Sequence, residues 1–267
     1  RDIFQHGWLA VDLFFVLSGY VMARTYEPRL AAGMGLRGFM GVRLHRLWPT
    51  MACGAAIGLV VLWPTMPVAA SLIGFTMALA LLPWPGPPGT PLFPTNPPAW
   101  SILYELFANA LHAAVLRRLG NGALAGIRAL SAAPLLTLSG SMGVGGEFPR
   151  LGLGAARVLY SYCAGMLSWR VVGERALLPG WLGLLLLPLG VLASGALPQA
   201  YWIEPGFIFL ACPLAVVSAI APLPFGGRLL GWLGAMSFPL YAVHYPVLLA
   251  VKSAGLPDAA ALLAAFA

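Results

Sequence analysis

The chain has 267 residues, 60% of them hydrophobic and only 9% charged, with a mean hydropathy of +0.86. A soluble domain carries about 25% charged residues, so this composition excludes an ordinary soluble fold and indicates a polytopic membrane protein. The net charge of +7 comes from arginine apart from the single Lys252. Those arginines are scattered between apolar runs, which argues against a nucleic-acid partner and fits the positive-inside bias of short loops.

Backbone polar groups in lipid must be satisfied internally, which leaves helices or closed barrels. The apolar runs here are long and do not alternate with period two, so helices are expected. The first is predicted from Trp8 to Tyr26, ended by Glu27-Pro28 and followed by a basic connection; its arginine-rich exit places that end on the cytoplasmic side. A second runs from about Phe39 to Trp63 and a third from Val68 to Leu82. The proline-rich stretch Pro83 to Pro98 reads as an irregular loop, because so many prolines remove donors and fix dihedrals. Whether residues 68–98 hold a full span or a re-entrant segment stays open.

Further helices are expected over Trp100 to Leu116, Ala123 to Leu138, Leu151 to Val172, Leu177 to Leu197, Ile203 to Ala221 and Leu229 to Val251. A last one starts near Pro257. At about 20 apolar residues per span, this makes about nine spans and a stub. Cys53, Cys163 and Cys212 fall in apolar runs and read as small buried hydrophobes, with neither a disulfide framework nor metal-ligand spacing. The chain begins at Arg1 rather than Met and stops at Ala267 inside a short apolar run. It is therefore expected to be a fragment, cut at both ends, of one integral-membrane domain covering 1–267.

Four places carry polar groups that lipid would not tolerate without reason. Asp12 lies in the first turns of an apolar helix, where it faces interfacial water, pairs with an arginine or orients a histidine. Arg43 and Arg46 flank His45 at i, i+3. Alone they read as a topology anchor; in context their guanidinium forks suit the phosphates of a donor. Ser101, Glu105 and Asn109 follow i, i+4, i+8, with His112 three beyond, so one face of an apolar helix is polar. That stripe reads either as a hydrogen-bond network between helices or as a substrate or proton site. Ser237, Tyr241 and His244 lie near one face of the last long helix, which Pro239 is expected to kink. His6, before Gly7, reads as a solvent-exposed histidine.

Taken together, Val11 to Gly19 (VDLFFVLSG), Arg43 to Pro49 (RLHRLWP), Trp100 to Glu105 (WSILYE) and Leu233 to His244 (LGAMSFPLYAVH) resemble the membrane-bound acyltransferase family 3, which moves acyl groups onto sugars and other acceptors. The resemblance implies an all-α transmembrane bundle of about ten helices, its first span missing here and its last cut short. It implies an acyl-CoA-dependent enzyme, with acyl-CoA as co-substrate and no permanently bound cofactor or metal. The main catalytic histidine would lie upstream of Arg1, with Glu105, Asp12 and His244 as supporting catalytic candidates. Arg43 and Arg46 would bind the donor's phosphates. Ser18, Trp100, Ser101, Asn109, His112 and Tyr241 would line the site. The expected partners are acyl-CoA, a carbohydrate or lipid-linked acceptor and the lipid bilayer, in a bacterial cytoplasmic membrane; the 267 residues alone are expected to be inactive. A transporter or flippase is the alternative, since polar intramembrane residues and proline-broken helices also belong to transporters.

Overall fold

The computed structural model describes residues 7–63, 67–197, 202–223 and 226–254. Among these residues the chain is all-helical, without a strand. Nine helices follow one another: α1 Gly7–Ala31, α2 Leu36–Leu62, α3 Val68–Leu79, α4 Ala99–Ala114, α5 Asn121–Leu138, α6 Leu151–Val172, α7 Trp181–Ala196, α8 Ile203–Ser218 and α9 Gly227–Ser253. His6 and the helix expected near Pro257 lie outside the described residues.

Three helices, α1, α2 and α9, are long and apolar enough to cross a membrane. Against the expectation of about nine spans, these three reach that length and apolarity among the described residues. At about 1.5 Å rise per residue, a 12- or 16-residue helix such as α3 or α7 falls short of a hydrocarbon core about 30 Å thick. α6 is long enough, but Arg157 and Arg170 lower its apolarity.

α1 does not end at Glu27-Pro28 as expected but continues to Ala31. Residues Met22–Tyr26 form a π-helical turn, and Pro28 opens the α-helical segment after it. A helical proline clashes with the carbonyl four residues back, and widening the preceding turn relieves that clash. The device recurs in α8, where the π-helical turn Phe207–Ala211 precedes Cys212-Pro213. The carbonyl four residues before Pro213 is that of Phe209, and Arg128 Nη2 donates to it at 3.1 Å.

The chain divides into two compact units. The first comprises Arg1–Met40, Tyr104–Gly145 and Gly152–Phe225; the second comprises Gly41–Leu103, Gly146–Leu151 and Gly226–Ala267. In the first, Leu9, Val16, Tyr20, Tyr160, Phe207 and Cys212 belong to one buried cluster. α1 and α6 approach so closely that a Cβ on Gly19 would strike the Tyr162 carbonyl, and one on Gly165 the Val16 carbonyl. Small residues of this kind let membrane helices meet backbone to backbone.

In the second unit the end of the proline-rich loop is buried: Leu92, Phe93 and Asn96 are inaccessible and Thr95 nearly so. Asn96 Nδ2 donates to the carbonyls of Met51 on α2 and Ala242 on α9, at 3.4 and 3.0 Å. α2 presents Gly58 to the Thr95 carbonyl, where a side chain would not fit. This end of the loop is therefore shielded by protein, the condition under which irregular backbone survives in lipid, while Pro85, Pro87, Pro88 and Gly89 are exposed. Cys163 and Cys212 are buried as expected, whereas Cys53 is exposed on α2.

Candidate active site

The polar positions fall into clusters that belong to one unit or the other. In the first unit Asp12 is fully buried. Arg157 Nε donates to Asp12 Oδ1 and Oδ2 at 3.1 and 3.0 Å, and Nη2 to Oδ2 at 2.5 Å. Ser161 Oγ adds a bond to Oδ1 at 3.1 Å. The same guanidinium donates to the carbonyls of Val144 and Trp8, at 3.1 and 3.3 Å, and lies 4.9 Å from the Trp8 ring centre. Of the readings of Asp12, pairing with an arginine is the one found, and the interfacial position is not. Neither Arg157 nor Ser161 stood out in the sequence. The available signal was a lone arginine seven residues into an apolar helix, which must find a counter-charge.

One and a half turns beyond Asp12, Ser18 Oγ donates to Glu105 Oε1 at 2.5 Å. Asn109 Nδ2, one turn along α4, donates to the same oxygen at 3.2 Å. The Asn109 amide oxygen in turn accepts from the Tyr162 hydroxyl at 3.2 Å. Asn109 is fully buried while Ser18 and Glu105 are partly exposed. A carboxylate oxygen that accepts two hydrogen bonds is held in one orientation.

His112 is also fully buried, its ring edge-on to Tyr162 at 5.8 Å between centres. Its Nε2 lies 3.8 Å from Glu27 Oε1, and neither ring nitrogen has a hydrogen-bond partner among the described residues. Glu27 is bonded by Arg170 Nη2 at 2.8 Å, and Arg170 also donates to the carbonyls of Leu119 and Arg117.

In the second unit, the Ser101 and Tyr241 hydroxyls lie 2.9 Å apart and both donate to the Pro98 carbonyl, at 3.0 and 3.2 Å. The Ser101 hydroxyl thus closes the first turn of α4 while meeting α9. His244 Nδ1 sits 2.7 Å from the Tyr241 carbonyl. A carbonyl can only accept, so Nδ1 carries the proton and Nε2 is left as the acceptor side of the ring. Trp100 is half-buried beside Gly146. Arg43 and Arg46 share a helix but not an environment: Arg43 is 4% exposed and Arg46 is open.

The four-member stripe on α4 is real as a helix face. Within the second unit Ser101 meets Tyr241, and within the first Asn109 bonds Glu105 while His112 packs edge-on to Tyr162. Helices of this length with carboxylates, arginines and histidines buried among them define a membrane protein with a polar interior.

The chain belongs to the acyltransferase family whose profile, described as an acyltransferase domain, matches residues 5–267. It is also similar to a protein described as "Protein 2 in picA locus" from Rhizobium radiobacter, 34% identical over 125 residues that cover 40% of this chain and 65% of that protein. The chain thus spans a little under two thirds of that relative's length. No solved structure matches it.

Proposed function

We propose that this protein is an integral-membrane O-acyltransferase of about ten helices in a bacterial cytoplasmic membrane. It moves an acyl group, in the first instance acetyl, from acyl-CoA to a hydroxyl of a carbohydrate or lipid-linked cell-envelope acceptor. The observation that carries the reading is Glu105: a partly exposed carboxylate on an apolar helix, oriented by Ser18 and Asn109, in a chain whose family profile is an acyltransferase domain.

In the reaction a base takes the proton of the acceptor hydroxyl as its oxygen attacks the thioester carbonyl. The C–S bond then breaks, the acyl group stays on the acceptor oxygen and the CoA thiolate takes up a proton. Glu105 is a candidate to orient the acceptor hydroxyl. His244, with Nε2 as its acceptor side, is a supporting candidate to accept a proton. Arg43 and Arg46 are the candidates to hold the donor's phosphates, through their guanidinium forks.

The test is transfer of radiolabelled acetyl from acetyl-CoA to glycan in membranes carrying the full reading frame that contains these residues. Label in the glycan, lost in the Glu105→Gln variant, supports the proposal. No transfer above a heat-killed control with several acyl-CoAs sinks it. Movement of a solute or lipid-linked sugar across vesicles without acyl-CoA would instead favour the transport alternative.

A further inference from the structure

Within the first unit, the ends of α1, α4 and α6 carry six arginines, Arg24, Arg29, Arg117, Arg118, Arg170 and Arg175, against two carboxylates, Glu27 and Glu174. Contacts tie these ends together. Arg24 pairs with Glu174 at 2.9 Å, and Arg170 pairs with Glu27 at 2.8 Å while bonding the backbone after α4. Those two pairs use both carboxylates. Arg29, Arg117, Arg118 and Arg175 have no ion pair among the described residues, and three of them, Arg29, Arg118 and Arg175, are exposed.

A charge cluster alone follows from topology bias. Here a second observation sets its depth. Arg24 lies over the Trp169 ring at 5.8 Å and Arg29 over the Tyr26 ring at 5.3 Å. The Tyr20 hydroxyl donates to the Gly173 carbonyl at 3.0 Å, at the end of α6. Tyr and Trp rings with one apolar side and one polar atom settle at headgroup level, and α1, which carries two of them, is long enough to span. At that level phospholipid phosphates would lie within reach of the exposed Arg29, Arg118 and Arg175. These arginines are spread over three helix ends rather than gathered in one pocket, which suits several headgroups better than one soluble ligand.

We propose that this end of the first unit is a binding surface for anionic phospholipid headgroups, with Arg29, Arg118 and Arg175 contacting lipid phosphates. A cluster of four to eight basic side chains beside a spanning helix is of the size that recognises anionic lipid, each contributing about five-fold in affinity. The inference concerns lipid binding and does not rest on the acyltransferase reading.

The experiment takes the whole protein in neutral detergent and follows by native mass spectrometry the binding of phosphatidylglycerol, of phosphatidylcholine and, in a separate arm, of inorganic phosphate. Phosphatidylglycerol is expected to bind at least ten-fold more tightly than phosphatidylcholine and to weaken with salt. Replacing Arg29, Arg118 and Arg175 by Gln should lower that affinity on the order of 100-fold. The same three positions changed to Lys should keep most of it, which separates lost charge from lost fold. Equal binding of the two lipids, or full phosphatidylglycerol binding by the Gln variant, overturns the proposal. So does inorganic phosphate that competes fully with the lipid, since the site would then be one for a soluble anion.

Discussion

Asp12 and Glu105 are both carboxylates in apolar helices of the same unit, and their surroundings differ in kind. Asp12 is sealed from solvent and met by the Arg157 guanidinium on both oxygens. Glu105 is partly open, and among its donors are a serine hydroxyl and an asparagine amide. A buried guanidinium that meets both oxygens of a carboxylate joins helices, whereas a carboxylate partly open to solvent can reach a substrate. The pair predicts a division of labour: Asp12 serves the fold and Glu105 the chemistry.

The largest expected effect lies on the Asp12 side. Asp12→Ala or Arg157→Ala leaves one charge buried without its partner, which costs about 3–5 kcal/mol. Unfolding of the detergent-solubilised protein should show this, and the double replacement Asp12→Leu with Arg157→Met should recover much of the loss. Singles that unfold within about 1 kcal/mol of the parent would mean the pair does not hold α1 to α6.

Next comes Glu105→Gln, which keeps the shape and lets an amide oxygen accept from Ser18 and Asn109. Acyl transfer should fall by about 10²–10⁴-fold, the usual worth of a positioned acid–base group, while the unfolding transition barely moves. If Glu105→Gln destabilises as much as Asp12→Ala, the two carboxylates are alike and the comparison fails. A smaller effect tests the seam itself. Gly19→Ala must push α1 from α6, because its new Cβ meets the Tyr162 carbonyl. A loss of about 1–3 kcal/mol is expected from such overpacking. Transfer per folded molecule should change less than in Glu105→Gln.

Much of this was legible along the chain, for reasons that differ from residue to residue. The ends of α6 match the expected Leu151 to Val172, because a long apolar run bounded by Arg150 and Gly173 leaves little choice. Pro28 misled, since a π-helical turn can carry a helix past a proline and no local pattern announces it. Asp12 and Glu105 both stood out, but what distinguishes them did not. Arg157 lies 145 residues from Asp12, and Ser18 lies 87 residues from Glu105. Tertiary partners at such separations leave no trace in periodicity. The Ser101, Glu105, Asn109, His112 face was visible from spacing, whereas the separate partners of Ser101 and Glu105 were not.

The smallest expected effect is at Tyr162, and it discriminates most finely. The Tyr162 hydroxyl bonds Asn109, and Asn109 bonds Glu105. Tyr162→Phe keeps the ring beside His112 and removes the hydrogen bond to Asn109, worth about 0.5–1.5 kcal/mol. If these hydrogen bonds exist to aim the carboxylate, a few-fold fall in transfer should accompany that modest loss of stability. The fall should appear in kcat rather than in KM, because the defect is in aiming and not in holding substrate. Asn109→Asp should be worse than Tyr162→Phe, since it sets a second carboxylate against Glu105 and like charges at hydrogen-bond distance disfavour each other's ionisation. A Tyr162→Phe protein with unchanged kcat would confine the functional part of the network to Ser18, Glu105 and Asn109, and would place Tyr162 with Asp12 and Arg157 among the groups that hold α6 in place.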